Sequence, residues 1–363
     1  MTEAGSLTSA LRALIDKAIV RSGGWLPFDR FMALALYAPG LGYYANSSRK
    51  FGTLPTSGSD FATAPEMTPL FGQALAEQVA EALQQTGTSE VWEFGAGSGE
   101  LALQLLETLE ASGAAVRRYT IVDLSRSLQE RQRAKLGRYA DKVRWVSELP
   151  QRLAGIVVGN EVLDAMPVKL LVRTAGVWRE RGVGPGLVWL DRETDLRTPL
   201  DVQGEQDYLT EIHPQAEAFI RTLADRLHQG AAFFIDYGFG EQEFYHPQRH
   251  MGTLMCHRRH LADTDPLADV GHKDITAHVN FTGLALAAQE TGLAILGYTS
   301  QARFLMNCGL VSRLAQAALP DRVAGQRLLA EHEMGELFKV IGFHKGAFWD
   351  ALGFAQGDRT GRL

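Results

Sequence analysis

The chain has 363 residues, enough for one large core with insertions or for two domains. Hydrophobic residues make up 45% and charged residues 21%, which is ordinary for a globular protein. The net charge of −6 lacks the basic excess of a duplex nucleic-acid binder. Two cysteines are too few for a disulfide framework or a four-cysteine zinc site. We therefore expect a cytoplasmic protein without a nucleic-acid partner.

The N-terminal region is predicted to be helical. It has no apolar run that follows a basic region, so we expect no secretory signal. No segment approaches the roughly 18 apolar residues of a membrane span, so we expect no membrane insertion. Apolar spacing predicts helices over residues 9–21, 27–37 and 69–85. The connection between the last two is too long for a passive loop, and it carries the aromatic residues Tyr43, Tyr44, Phe51 and Phe61. We interpret residues 1–88 as a helical N-terminal cap with a long substrate or cofactor loop.

From Glu90 onward, short apolar runs alternate with helical periods, which is typical of βαβ units around a parallel sheet. The main strands are predicted at residues 90–94, 119–123, 143–146, 155–158, 231–236, 294–298 and 337–343. Shorter runs at residues 169–172, 177–182 and 186–190 indicate an antiparallel hairpin insertion of about residues 168–210, between the fourth and fifth strands. Residues 238–280 show little periodicity, and we predict a loop insertion there. Residues 89–363 would then form one α/β domain.

The sequence EFGAGSG at residues 93–99 joins the first predicted strand to a helix. Gly95 permits a tight turn, Gly97 lets a ligand approach the backbone, and the helix start presents free N–H groups to an anion. A dinucleotide fingerprint requires G-x-G-x-x-G. Here Glu100 replaces the third glycine and puts a negative charge where a pyrophosphate would bind. Asp123 ends the next strand, where a carboxylate either accepts hydrogen bonds from both hydroxyls of a ribose or belongs to a helix N-cap.

The spacing E-x-G-x-G-x-G resembles the first motif of class I methyltransferases, whose acidic residue faces the amino end of the cofactor's methionine part. Further blocks resemble one family, the MidA-type methyltransferases: SDFATAPEMTPLFG (59–72), IVDLS (121–125), GNEVLDAMPV (159–168), IDYG (235–238), GTLMCHRRH (252–260) and DITAHVNF (274–281). The resemblance implies an α/β class I methyltransferase fold, with a Rossmann-like seven-stranded sheet, a helical N-terminal cap and insertions. It implies that S-adenosylmethionine is the cofactor and that its binding residues are Glu93, Gly95, Ala96, Gly97, Gly99, Asp123, Leu124 and Asn160.

The resemblance also implies methylation of an arginine side chain on a partner protein. The family includes a mitochondrial factor that methylates an arginine in a complex I subunit, so a respiratory-complex subunit is one candidate substrate. A guanidinium is best held by carboxylates in a forked geometry, and an α/β sheet binds its ligands at the carboxyl ends of the strands. We therefore predict Glu161, Asp164 and Asp236 as catalytic residues, with Glu161 and Asp164 orienting the guanidinium. Asp164 could instead cap a turn before Pro167.

Other interpretations stay open. The protein could methylate a small molecule or another type of side chain, or it could be a non-catalytic assembly factor that retains the fold. Asp60, Glu66 and Asp274 are further carboxylates of the early and late loops. Six of the ten histidines lie within residues 238–279, but their spacing matches no zinc pattern and arginines lie among them, so we predict no metal site. Of these histidines, His278 is the best candidate for a role on the substrate side.

Overall fold

The structure is a computed structural model that describes residues 3–46 and 63–363, with the side chains of the first range from Thr8 onward. The helices of these ranges are, in chain order, α1 Glu3–Arg21, α2 Phe28–Tyr37, α3 Ala64–Met67, α4 Leu70–Thr86, α5 Glu100–Ala111, α6 Arg126–Lys135, α7 Pro214–Arg226, α8 Glu241–Phe244, α9 Phe281–Glu290, α10 Gln301–Asn307, α11 Leu310–Gln316 and α12 Leu319–Leu329. Single helical turns cover Gly137–Tyr139, Glu331–Gly335, Leu352–Phe354 and Thr360–Arg362. Among the helices described, none has the length and apolarity needed to cross a membrane.

The strands of the same ranges form three sheets. In chain order they are β1 Leu26–Pro27, β2 Glu90–Phe94, β3 Arg118–Val122, β4 Val143–Val146, β5 Leu153–Asn160, β6 Lys169–Thr174, β7 Val177–Gly184, β8 Val188–Glu193, β9 Tyr208–Ile212, β10 Leu227–Phe239, β11 Met255–Arg258, β12 Leu261–Asp263, β13 Asp274–Thr276, β14 Val279–Asn280, β15 Ala294–Ser300 and β16 Phe338–Lys345.

The main sheet is mostly parallel. Within the described residues, seven strands follow the order β4-β3-β2-β5-β10-β16-β15, and β14 pairs with the far end of β10. The first five are parallel to one another, whereas β16 runs antiparallel to both of its neighbours. The predicted α/β class and the predicted main strands are thereby confirmed, although several strands are longer than their apolar runs suggested.

Helices cover both faces of this sheet, because its central strands are apolar on both sides. On one face, Val158 and Phe233 pack with α4, α5 and α10. On the other face, Val157 and Phe234 pack with α7 and α9. The alternation along β5 and β10 therefore divides the hydrophobic core into two layers, and the carboxyl ends of the five parallel strands meet at one edge.

A second layer, here called the accessory layer, consists of α1, α2 and two antiparallel sheets, one formed by β1 and β6–β9 and the other by β11–β13. Its elements share one apolar core that includes Ile15, Phe31, Leu170, Val183 and Ile275. Helix α4 packs in the core of the main sheet instead. The packing thus groups α1 and α2 with the insertions, and the domain boundary near residue 88 stays a prediction.

Three expectations need correction. Helix α1 begins at Glu3 rather than at residue 9, and the insertion contains an unpredicted fourth strand, β9. Residues 238–280, expected to be a loop insertion, contain α8 and β11–β14, whose strands have only two to four residues and therefore show no detectable alternation. The expectations for Phe51, Asp60 and Phe61 lie outside the described residues.

Candidate active site

A cavity of about 1680 Å³ opens at the carboxyl ends of the parallel strands and extends to the accessory layer. Its described lining is strongly acidic, with two arginines and no lysine against nine carboxylates: Glu66, Glu93, Glu100, Asp123, Glu130, Glu148, Glu161, Asp164 and Asp274. Because low-dielectric walls concentrate the field of such a cleft, the cavity favours a cationic ligand.

The glycine loop forms one wall of this cavity. Gly95, Gly97 and Gly99 all have positive φ angles, of 64°, 51° and 83°. At Gly95 a Cβ atom would lie only 2.7 Å from Cγ2 of Val162, so the turn needs both the conformation and the small size of glycine. Ala96 is buried beside it, and α5 begins directly after Gly99, as the sequence predicts. The position of the loop suits close approach of a ligand to the backbone.

Glu93 lies on the cavity wall at the end of β2 and accepts a hydrogen bond from the Tyr119 hydroxyl, with an O···O distance of 2.7 Å. Burial raises the pKa of Glu93 to about 8; the Tyr119 hydrogen bond opposes this rise, and the charge of Asp123 adds to it. A carboxyl group with such a pKa takes up its charge most readily beside a cation. Glu93 is thus suited to a ligand that carries an amino group.

Asp123 follows β3, and two of the described residues donate hydrogen bonds to its carboxylate. Its Oδ1 accepts from the Ser125 backbone N–H at 2.8 Å and its Oδ2 from Nε2 of Gln132 at 2.8 Å. Burial raises its pKa, and both hydrogen bonds oppose the rise. Because an ionised carboxylate can accept about four hydrogen bonds, capacity remains for two further donors, such as the two hydroxyls of a ribose.

Next to Asp123 the cavity has a more apolar wall. The Leu124 side chain lines the cavity and is 75% exposed. Leu149 and Phe219 also line it, and the Phe219 ring contacts that of Phe94 edge to face, with centroids 5.0 Å apart. Sequence reasoning missed Leu149, Phe219 and Glu148, which together offer apolar surface and a hydrogen-bond acceptor for a flat heterocycle.

The loop after β5 brings Asn160 and Glu161 to the same edge. Glu161 has a φ of +53°, which is uncommon for a residue with a side chain, and its N–H donates to the Ile235 carbonyl at 2.9 Å. Its Oε1 accepts from Nδ2 of Asn160 at 3.1 Å. Burial raises the pKa of Glu161 to about 8, and the charge of Asp164 adds to the rise. The hydrogen bond to Ile235 thus holds the backbone of Glu161 in an uncommon conformation, which places its carboxyl group in the cavity wall.

Asp164 lies a few residues further along the loop, where its Oδ2 accepts a short hydrogen bond from the Tyr237 hydroxyl. Its Oδ1 is buried and finds no hydrogen-bond partner among residues 8–46 and 63–363. Burial raises the pKa of Asp164 to about 6, and the Tyr237 hydrogen bond opposes the rise. An unsatisfied buried acceptor is costly, so this oxygen is suited to a donor supplied by a ligand.

The expectation that Asp236 touches the acceptor disagrees with the geometry. Asp236 is fully buried, and its Oδ2 accepts from the backbone N–H groups of Val162, Leu163 and Asp164 at 3.1, 2.8 and 3.2 Å. Its Oδ1 accepts from the Tyr237 N–H at 3.0 Å. Successive side chains of a strand point to opposite faces, and it is Tyr237 that lines the cavity. Asp236 therefore fixes the loop that carries Glu161 and Asp164.

The accessory layer contributes aromatic rings and a further carboxylate. The rings of Tyr37 and Tyr44 stack with centroids 5.6 Å apart, and the Tyr44 hydroxyl donates to Oδ2 of Asp274 at 2.8 Å. The Tyr37 hydroxyl donates to the Ala165 carbonyl at 2.8 Å. The sequence did not single out Tyr37. We use the name acceptor box for this end of the cavity, defined by Tyr37, Tyr44, Glu161, Asp164, Tyr237 and Asp274.

His278 borders the acceptor box, with its ring 5.2 Å from that of Tyr237. Burial lowers its pKa to about 4, and the charges of Arg249, Lys339 and His213 lower it further, so its imidazole is neutral at physiological pH. Within the part of the chain that the structure describes, no three His, Cys, Asp or Glu side chains are grouped so that they could hold a metal ion.

Comparison with known proteins defines the class. A crystal structure of a Burkholderia thailandensis protein bound to S-adenosyl-homocysteine superposes with a TM-score of 0.96 at 48% identity, over 100% of this chain and 99% of that one. Residues 74–299 match the model of a family described as S-adenosyl-L-methionine-dependent methyltransferases. The acidic cavity, the glycine loop and the two open acceptor positions of Asp123 fit that cofactor. The protein is therefore an S-adenosylmethionine-dependent methyltransferase with a class I fold.

Within this class, the chain belongs to the MidA-type family. Among its curated relatives, the mitochondrial protein arginine methyltransferase NDUFAF7 of Mus musculus is 28% identical over 374 residues, which cover 92% of this chain and 82% of the relative. The homologue from Caenorhabditis elegans is 24% identical over 359 residues, which cover 88% and 82%.

Proposed function

We propose that this methyltransferase modifies an arginine side chain of a partner protein. The observation that carries the proposal is the acceptor box, in which three carboxyl groups and three tyrosine rings surround one end of the cavity. The names of the curated relatives, which are protein arginine methyltransferases, support the same acceptor. A respiratory-complex subunit remains one candidate partner.

The composition of the acceptor box suits a guanidinium group. A guanidinium is planar, offers five N–H donors in a fork, and stacks on aromatic faces, so it can use the carboxylates and the tyrosine rings together. A lysine ammonium in the same surroundings would be held protonated, because nearby carboxylates favour its charged form. An ammonium nitrogen has no lone pair for methyl transfer, whereas the nitrogens of a protonated guanidinium keep lone pairs that are delocalised over its plane.

The roles of the residues follow from their positions. The cofactor supplies an electrophilic methyl group on a positively charged sulfur. Glu161 and Asp164 would hold the guanidinium at the edge of the sheet and present one of its nitrogens to the methyl group that bound S-adenosylmethionine would supply. As the carbon–nitrogen bond forms, that nitrogen gives up a proton to one of the two carboxylates. The methylated guanidinium keeps its single positive charge, and the sulfur becomes neutral.

Two hydrogen bonds prepare these carboxylates for the reaction. Asn160 donates to Glu161, and Tyr237 donates to Asp164. Each donor leaves part of its carboxylate free for the substrate and holds it in one rotamer, which reduces the reorganisation needed during transfer. We assign Glu161 and Asp164 to contact with the acceptor, and we assign Asp236 a positioning role.

The proposal is tested by transfer of a radiolabelled methyl group to proteins in a lysate of cells that lack this protein. Glu161→Gln should abolish labelling while the dissociation constant of S-adenosyl-homocysteine changes by no more than a few-fold. Glu130→Gln is the matched control, since Glu130 is an exposed carboxylate that lines the same cavity on α6. Equal losses in both variants would mean that only the net charge of the cavity matters, and undiminished labelling by the Glu161 variant would reject its role.

A further inference from the structure

We infer that Gln132 is a positioning residue that holds Asp123 ready for the ribose of the cofactor by tying it to the glycine loop. Gln132 lies on α6, outside the sequence blocks that resemble the MidA-type family, and its side chain is fully buried. It is not among the residues that line the cavity, so it acts through Asp123 and not by contact with the ligand.

The hydrogen bonds of the Gln132 amide connect three elements. Its Nε2 donates both to the Gly97 carbonyl at 2.9 Å and to Oδ2 of Asp123 at 2.8 Å. Its Oε1 accepts from Nε1 of Trp145, on β4, at 2.8 Å. Because the indole N–H can only donate, the Trp145 contact fixes which end of the amide faces Asp123. The amide therefore uses both hydrogens and has one defined orientation.

This arrangement determines which positions of Asp123 remain open. Gln132 occupies one side of the carboxylate, and the Ser125 N–H occupies another. The carboxylate is thus locked in rotation, and its remaining acceptor positions are available for a pair of neighbouring hydroxyls. If the carboxylate could rotate, this match would be lost. Two adjacent hydroxyls can each donate to one oxygen only when the plane of the carboxylate faces them.

The packing around Gln132 links the same residues. A Cβ atom at Gly99 would lie 3.3 Å from Cγ of Gln132, so the last glycine of the loop also leaves room for this side chain. Gln129, one turn earlier on α6, donates to the backbone carbonyl of Asp123 rather than to its carboxylate. Gln129 is therefore a control that shares the helix and the partner residue but not the contact that orients the carboxylate.

The test is calorimetric titration with two ligands, S-adenosyl-homocysteine and its 2′,3′-dideoxy analogue, which lacks both ribose hydroxyls. We compare the dissociation constant of the dideoxy analogue, divided by that of S-adenosyl-homocysteine, between variants. In Gln132→Met this ratio should fall roughly tenfold or more towards one, because the hydrogen bonds from the ribose hydroxyls to the charged Asp123 would be weakened. Gln129→Met should keep the wild-type ratio. Trp145→Phe keeps Gln132 but removes the hydrogen bond that fixes the orientation of its amide. The ratio should therefore fall less in this variant than in Gln132→Met.

A role of Gln132 in the fold alone and a role in positioning Asp123 predict different results. If it only supports the fold, Gln132→Met would weaken the binding of both ligands by the same factor and leave the ratio unchanged, and this would overturn the inference. If Gln132→Met does not fold, Trp145→Phe decides alone: a reduced ratio supports the inference and a wild-type ratio overturns it. Neither result depends on the identity of the methyl acceptor.

Discussion

Replacement of Asp236 by asparagine tests how the loop with Glu161 and Asp164 is held. In the structure, one oxygen of Asp236 accepts from three successive backbone N–H groups and the other from the Tyr237 N–H. Asparagine has the same shape but only one oxygen. Whichever way it turns, its NH₂ group faces at least one backbone N–H, which then has no acceptor.

The expected loss of stability can be worked out from these contacts. A lost partner for one buried N–H costs about 1–3 kcal/mol, and three hydrogen bonds that are no longer charge-assisted cost roughly 1 kcal/mol each. The opposing gain is that asparagine buries no charge. Burial and the charges of Asp164 and Glu161 raise the pKa of Asp236, which means that the charged form of this aspartate is unfavourable in the folded protein. We expect a net loss of about 3 kcal/mol. With an unfolding entropy of about 2.1 cal/mol/K per residue over 363 residues, this lowers the melting temperature by about 4 °C.

The decisive assay compares melting temperature, cofactor binding and methyl transfer in Asp236→Asn. Transfer should fall about 100-fold, because displacement of catalytic groups by about 1 Å has that effect, while S-adenosyl-homocysteine affinity stays within a few-fold. Glu81→Gln is the control, since Glu81 accepts from the Leu352 N–H at 2.9 Å and does not line the cavity. It should lower the melting temperature without loss of transfer. Wild-type transfer by Asp236→Asn would refute the positioning role, and an unchanged melting temperature would refute the energetic argument.

Three further predictions concern the rest of the site. At saturating S-adenosylmethionine, kcat/KM for the protein acceptor should rise with pH and reach half of its plateau near pH 8, because Glu161 must be ionised and its pKa is raised to about 8; a flat profile from pH 6 to 9 would contradict this. For Glu93, the pKa is raised in the folded state from 4.5 to about 8, so its contribution to stability is present below pH 4.5 and is lost as the pH rises through 8. Glu93→Gln should therefore melt at a higher temperature than the ligand-free wild type at pH 8 but not at pH 4.5. The difference in free energy of unfolding is at most about 5 kcal/mol, and differential scanning calorimetry at both pH values checks its sign. Gly95→Ala should weaken S-adenosyl-homocysteine binding roughly tenfold, since a Cβ would lie 2.7 Å from Cγ2 of Val162 at a φ of +64°; Val162→Ala in the same chain should restore part of the affinity, and no restoration would reject the steric explanation.

The main sheet was predictable because its signals are local. The strand AAFFID and the run AGIVVG are apolar over several residues, and β2 is bounded by the glycine loop. The three-stranded sheet of the accessory layer gave no such signal. Its strands are stabilised by packing on α1 and α2, from which they are separated by more than two hundred residues of chain.

The candidate site was predictable only where motif and strand end coincide, as for Glu161 and Asp164. Tyr37, Phe219 and Gln132 come from elements that are remote in sequence, and only the fold brings them to the cavity or to Asp123. The role of Asp236 depends on side-chain alternation at the end of β10, which a carboxylate next to a tyrosine does not reveal by itself. The cytoplasmic location remains a prediction.

The roles proposed for Glu161 and Asp164 depend on arginine being the methyl acceptor. The most direct measurement is transfer of a heavy methyl group from labelled S-adenosylmethionine to lysate proteins, followed by tandem mass spectrometry of the labelled peptides. The acceptor box predicts that the heavy methyl group lies on arginine side chains in the wild-type reaction and is absent with Glu161→Gln. A heavy methyl group found on lysine, another side chain or a small molecule would contradict the account.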